Sequence, residues 1–144
     1  MMKSILITLL LIMLSSCHGD YVEFGDDYVY VNGCIAKEDP KSSALDILVY
    51  VQVLNSAWDD DYIIAYQKPD RGVFEEYIEG LPQKEIDSLE HLYDRMHEIH
   101  NCYWIIRKKD KRVFGPMTKK DFEIKCRRMG VSIKLDPRYE NQYI

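Results

Sequence analysis

"YWIIRKKDKRVFGPMTKKDFEIKCRRMG", residues 103–130, is the stretch on which the fold turns. Tyr103 to Lys108 is aromatic and β-branched, the composition of a strand. Asp110-Lys111 sits near a turn, and Arg112-Val113-Phe114 supplies a second arm. Gly115-Pro116 is expected to end that arm, because proline has no N–H for a ladder. Thr118 then opens a helix, with Asp121 three residues on as an approximate capping box. Phe122, Cys126 and Met129 share one helical face, and Gly130 is a C-terminal stop. A tight hairpin followed by a helix favours antiparallel pairing and an α+β fold over a doubly wound parallel sheet.

Upstream residues extend the same reading. Tyr28–Val31 alternates as a first strand and is closed by the turn pair Asn32-Gly33. "LDILVYVQVL", 45–54, is apolar on both faces and reads as one central strand. Asn55 to Asp61 reads as a turn, and "YIIAYQ", 62–67, as another strand. Lys68 to Gly72 carries strong turn residues, so Val73–Ile78 is expected to pair back as a hairpin arm. From Pro82 to about His100, Ile86, Leu89, Leu92, Tyr93, Met96 and Ile99 form one apolar stripe, which predicts the long helix. Val131 to Leu135 suits a short last strand.

The N-terminus reads as an address. Met1, Met2 and Lys3 precede an apolar run from Ile5 to Leu14, too short to span a bilayer, which needs roughly 20 residues. Its exit, Leu14-Ser15-Ser16-Cys17, resembles the bacterial lipobox, in which the thiol is lipidated and the leader removed. The expected organisation is a leader at 1–16, a tether at 17–27, one α+β domain at 28–136 and a tail at 137–144. That domain carries an antiparallel sheet with one long and one shorter helix. A lipid-anchored protein of the cell envelope, at the outer membrane or cell surface, follows from Cys17.

Charge is divided along the chain. Residues 17–103 hold 19 Asp and Glu against 6 Lys and Arg; residues 104–144 hold 5 against 12. The basic third either folds against the acidic part or presents a docking face. Nucleic acid is not an expected partner of an exported, net acidic chain; an envelope or extracellular protein is. Trp104, Arg107, Lys108, Lys109, Lys111 and Arg112 are the candidate binding residues, although alternation lets only one of Tyr103 and Trp104 face a core.

Chemistry-bearing motifs are sparse. His97 and His100 are helical neighbours and Asp94 lies one turn before His97, which makes these three candidate metal ligands. The spacing is not His-Glu-x-x-His, and a solvated helix face explains the same pattern. Asp59-Asp60-Asp61 lacks the rest of a calcium loop. Cys34, Cys102 and Cys126 either form one bridge and one free thiol or serve as small buried hydrophobes. No nucleophile elbow, phosphate loop or dinucleotide fingerprint occurs, so neither an enzyme nor a cofactor is expected. A protein-binding module, of immunity or inhibitor type, leads; an assembly accessory of an envelope complex and a small-ligand or metal binder are the alternatives.

Segment 103–130 also resembles a family of small bacterial lipoproteins, the domain of unknown function 3997. Its pattern is an aromatic-Ile-Ile strand, a Lys-rich hairpin ending in Gly-Pro-Leu, and a Ser- or Thr-started helix. Tyr103, Ile105 and Ile106 fit the strand, Gly115 and Pro116 the turn, and Thr118 the helix start, with Met117 in place of leucine. "DDDYIIAYQKP", 59–69, looks like the family's earlier strand. The resemblance implies export and lipidation and assigns no activity. Backbone needs at Gly115, Pro116 and Thr118 account for most of the motif without function.

Overall fold

The computed structural model describes residues 21–140. The leader at 1–16, Cys17 and residues 141–144 lie outside the described residues.

The fold is α+β, with two four-stranded antiparallel sheets. The first is a meander of β1 (Tyr21–Gly25), β2 (Tyr28–Val31), β3 (Cys34–Glu38) and β4 (Leu45–Val49). The second has β5 (Val53–Trp58), β6 (Tyr62–Gln67), β7 (Cys102–Arg107) and β8 (Arg112–Met117) in that order. Helices α1 (Arg71–Ile78) and α2 (Gln83–Ile99) stand between β6 and β7; α3 (Lys119–Met129) follows β8, and Pro137–Glu140 adds one helical turn, α4. Among the described residues no helix is long and apolar enough to cross a membrane.

Several local signals act as the residues dictate. Asn32 and Gly33 both take positive φ, 49° and 84°, which is the turn that an Asn-Gly pair favours between β2 and β3. Thr118 accepts the Asp121 N–H at the start of α3, and Gly130 closes it in the left-handed region.

Other expectations are overturned. The apolar run 45–54 is two strands: β4 ends at Val49, and β5 begins at Val53 in the other sheet. Val49 of β4 and Val53 of β5 enter the same core between the sheets, and Leu54 turns to the opposite face of the second sheet, so the run is apolar on both faces. Asn55–Trp58 continues β5, so only Asp59–Asp61 turns, with the Asp59 carboxylate accepting from the N–H groups of Asp61 and Tyr62 at 2.9 and 2.7 Å. Val73–Ile78 is helical. Asp70 caps α1 by accepting the Val73 N–H at 3.0 Å, and an Arg71–Glu75 pair one turn apart supports it. Gly115-Pro116 does not end the hairpin arm; β8 runs through both to Met117, with an irregular register opposite Tyr103 and Ile105. Val131–Leu135 is not a strand, yet Val131 and Leu135 are buried against the second sheet. Within the stretch read as a tether, Tyr21–Gly25 forms β1, anchored by fully buried Phe24.

The second sheet is the middle layer. One face sets Val53, Ile63, Ala65, Trp104 and Ile106 against Phe24, Tyr28, Ile35 and Val49 of the first sheet and Met96 of α2. Its other face sets Ile64, Tyr66, Tyr103 and Ile105 against Phe122 of α3, Val131 and Leu135. A satellite cluster of Phe74, Leu89 and Tyr93 holds α1 on α2.

Candidate functional site

The structure divides the six candidate binding residues. Trp104 is interior at 4 % exposure, and its indole N–H donates to Gln67 Oε1 at 2.7 Å. Gln67, fully buried, donates in turn to the Tyr50 carbonyl, so this polar chain is satisfied within the core. Lys108 is also buried. Its ammonium donates to the Phe24 carbonyl, and its own carbonyl accepts from the Tyr28 hydroxyl at 2.8 Å. Trp104 and Lys108 are therefore ties between the two sheets, not parts of an exposed face. Tyr103 is buried too, because the middle sheet is covered on both sides.

The other four lie toward the surface. Arg107 makes a two-pronged contact with Asp110, at 3.0 and 2.7 Å. That hydrogen-bonded pairing raises the Arg107 pKa and holds the Asp110 carboxyl below its ordinary value. Lys111 reaches across to Asp46 of β4 at 2.6 Å. Arg112 and Lys125 stand over the Phe114 ring at 5.0 and 4.7 Å. Lys109 is exposed at the turn.

The family-motif residues have structural surroundings. Ile105 and Ile106 point to opposite buried faces. Gly115 has φ 138°, and a Cβ there would lie 2.7 Å from the Trp104 ring and 2.8 Å from the Tyr103 carbonyl oxygen. Pro116 lies within β8, and Thr118 caps α3.

The His97 and His100 rings are neighbours at 5.6 Å, and His97 stacks on Tyr93. Asp94 does not complete a set with them: among the described residues no three His, Cys, Asp or Glu side chains are grouped to hold a metal ion. Cys34, Cys102 and Cys126 are free thiols. Burial pushes Cys34 up to about 11 and Cys102 up to about 12, which suppresses the reactive thiolate.

Two grooves beside the helices escaped the sequence reading. The larger, about 620 Å³, runs between β4, an edge strand of the first sheet, and helices α1 and α2. Leu45, Ile47, Tyr50, Tyr77, Leu81 and Leu89 give it apolar walls, with Asp46, Lys84 and Glu85 also lining it. Tyr50 and Tyr77 meet edge to face at 5.7 Å, and burial pushes the Tyr77 hydroxyl up to about 12. The Lys111–Asp46 contact brings the tip of the basic hairpin to this groove. Its only sequence signal was Leu45 and Ile47 alternating with Asp46, which the continuous run around them concealed. The second groove, about 510 Å³, lies between α3 and residues 131–135, with Phe122 and Leu135 in its apolar lining and Lys119, Arg127 and Lys134 against one carboxylate, Glu123.

A family model matches residues 27–139, and the chain belongs to that family, described as protein of unknown function (DUF3997). No curated protein and no solved structure matches the chain.

Proposed function

We propose that this member of a family of unknown function is a lipid-anchored envelope protein, held at Cys17, whose domain binds a partner protein at the β4 groove. The groove itself carries the reading. An edge strand offers a row of N–H and C=O groups on the side away from its sheet, which an extended segment of another chain can pair with. Here that edge borders a trough of mixed lining, in which Tyr77, Leu81 and Leu89 of the helical side alternate with Lys84, Glu85 and Ser88 and could take alternate side chains of such a segment. The exposed Leu45 and the aromatic pair Tyr50–Tyr77 supply apolar anchors, and Asp46, Lys84 and Glu85 in the lining, with Lys111 held on Asp46, supply charge. Anchoring restricts the domain to one surface and raises its effective concentration for a partner there. Inhibition of an arriving enzyme and assembly of an envelope complex are both forms of this binding.

Cross-linked affinity purification from native membranes tests it, comparing wild type with Leu45→Arg and with a Lys109→Glu, Arg112→Glu double variant. A stoichiometric partner lost in Leu45→Arg is the expected result. Loss only in the double variant would move the interface to the hairpin. No partner in any sample would sink protein binding. The cationic, apolar lining of the second groove favours a small anionic amphiphile as the next reading, checked by native mass spectrometry of the membrane-extracted protein.

A further inference from the structure

Among the described residues four large apolar side chains stand well exposed: Tyr21 at 47 %, Val22 at 39 %, Leu45 at 44 % and Trp58 at 44 %. Leu45 borders the β4 groove. The other three gather where β1, an outer strand of the first sheet, comes beside β5, an outer strand of the second. The two edges leave a shallow cleft of about 420 Å³, lined by Tyr21, Val22, Tyr30, Leu54 and Trp58 together with Val53, Asn55 and Ser56. None of these eight residues is charged. The Trp58 ring packs on Phe24 at 4.8 Å, so it is held at the cleft and not merely loose on the surface.

We propose that this cleft rests on the surface of the bilayer that holds Cys17, with Trp58 at headgroup level. The inference depends on the anchoring reading of Cys17 and gives that anchor an orientation. Only His18, Gly19 and Asp20 separate Cys17 from β1. Even fully extended, the four steps from Cys17 to Tyr21 reach about 14 Å. Those three polar residues are too few to cover the cleft once the leader is gone. The β1 edge is thus the part of the domain kept at the membrane. Tyr and Trp, apolar in body and polar at one end, suit the headgroup boundary. The charges nearby are Glu23 on β1, Glu38 of β3, which is hydrogen-bonded to the Tyr21 side chain, and Asp59, Asp60 and Asp61 after Trp58, so the favoured surface is zwitterionic and not anionic.

The arrangement also serves the groove. β1 and β4 are opposite edges of the first sheet, three strand spacings or about 14 Å apart. A bilayer against β1 leaves β4 facing outward, open to a partner.

The test uses lipidated full-length protein from native membranes, reconstituted in phosphatidylcholine vesicles that carry a headgroup spin label. Trp58→Phe leaves only the interior Trp104 and gives the background emission. The expected result is that the label removes most of the Trp58 emission while aqueous iodide does not. Val22→Asp should restore iodide quenching with the protein still on the vesicles, and added phosphatidylglycerol should reduce quenching by the label. An acylated chain whose Trp58 is open to iodide and untouched by the label overturns the contact alone. Protection from both quenchers means a second copy or another protein covers the cleft, which also overturns it. A mature chain whose mass carries no lipid overturns the anchoring reading and this inference with it.

Discussion

In the second sheet every residue of β6 from Ile63 to Gln67, and of β7 from Cys102 to Ile106, is buried. In the first sheet β1 exposes Tyr21, Val22 and Glu23, and β4 exposes Leu45 and Asp46. The difference comes from layering. The second sheet lies between the first sheet and α3, so both its faces are core. The first has its core on the side toward the second sheet, and its two outer strands border the open clefts. Stability should therefore concentrate in β6 and β7, and binding at the margins of β1–β4.

Trp104→Ala should produce the largest loss. It opens a cavity between the two sheets and leaves the buried Gln67 oxygen without its indole donor. A cost of about 3–5 kcal/mol is expected from the lost ring, a large share of the 5–15 kcal/mol that holds a typical domain. Urea unfolding of the wild type and the variant measures it. A loss below about 1 kcal/mol would mean that the middle layer is not where stability resides.

Gly115→Ala comes next. The added methyl meets the Trp104 ring and the Tyr103 carbonyl oxygen, at a φ that side chains rarely adopt. Overpacking and backbone strain together are expected to cost on the order of 3 kcal/mol, seen as a lower unfolding midpoint. Alanine at Gly130, where a Cβ meets nothing within 4 Å, isolates the cost of positive φ from that of the clash.

These two sites show what was legible in the sequence. Residues 103–130 fixed a hairpin and a capped helix, because Thr118, Asp121 and Gly130 act through backbone groups a few residues away. The long helix was legible for the same reason of regular spacing. What misled was continuity: "LDILVYVQVL" carries no mark at Tyr50–Gln52 to say that the chain leaves one sheet for the other. Only the tertiary partners, Ile35 for Val49 and Gln67 for Val53, decide that. Trp104 and Lys108 looked like a surface because a basic hairpin surrounds them, and their burial depends on Gln67 and Phe24, distant in sequence. The grooves were hidden for a similar reason, since each joins residues from separate elements.

Thiol chemistry separates the regions by rate. At pH 8 the half-buried Cys126 on α3 should react first with an alkylating reagent, with Cys34 of β3 slower and Cys102 of β7 slowest. Burial raises all three, to about 11 for Cys34 and about 12 for Cys102, so thiolate is scarce in both sheets. Peptide mapping after timed labelling gives the order. Cys102 reacting before Cys34 would reverse the ranking of the two sheets.

The smallest effect should come from the contact that joins the sheets at the surface. Lys111 and Asp46 lie 2.6 Å apart, with side chains 47 % and 55 % exposed. In that setting solvent screening and side-chain entropy offset most of the attraction, and exposed pairs contribute roughly 0.2–1 kcal/mol. A double-mutant cycle with Lys111→Ala and Asp46→Ala should thus give a coupling near the bottom of that range, falling further in high salt. The two sheets share a large apolar interface around Phe24, Tyr28, Ile63 and Trp104, so they need no help from this pair. A coupling well above 1 kcal/mol would show instead that polar contacts hold the first sheet in place. In that event a partner entering the β4 groove, and displacing Asp46 from Lys111, would loosen the sheets as it binds.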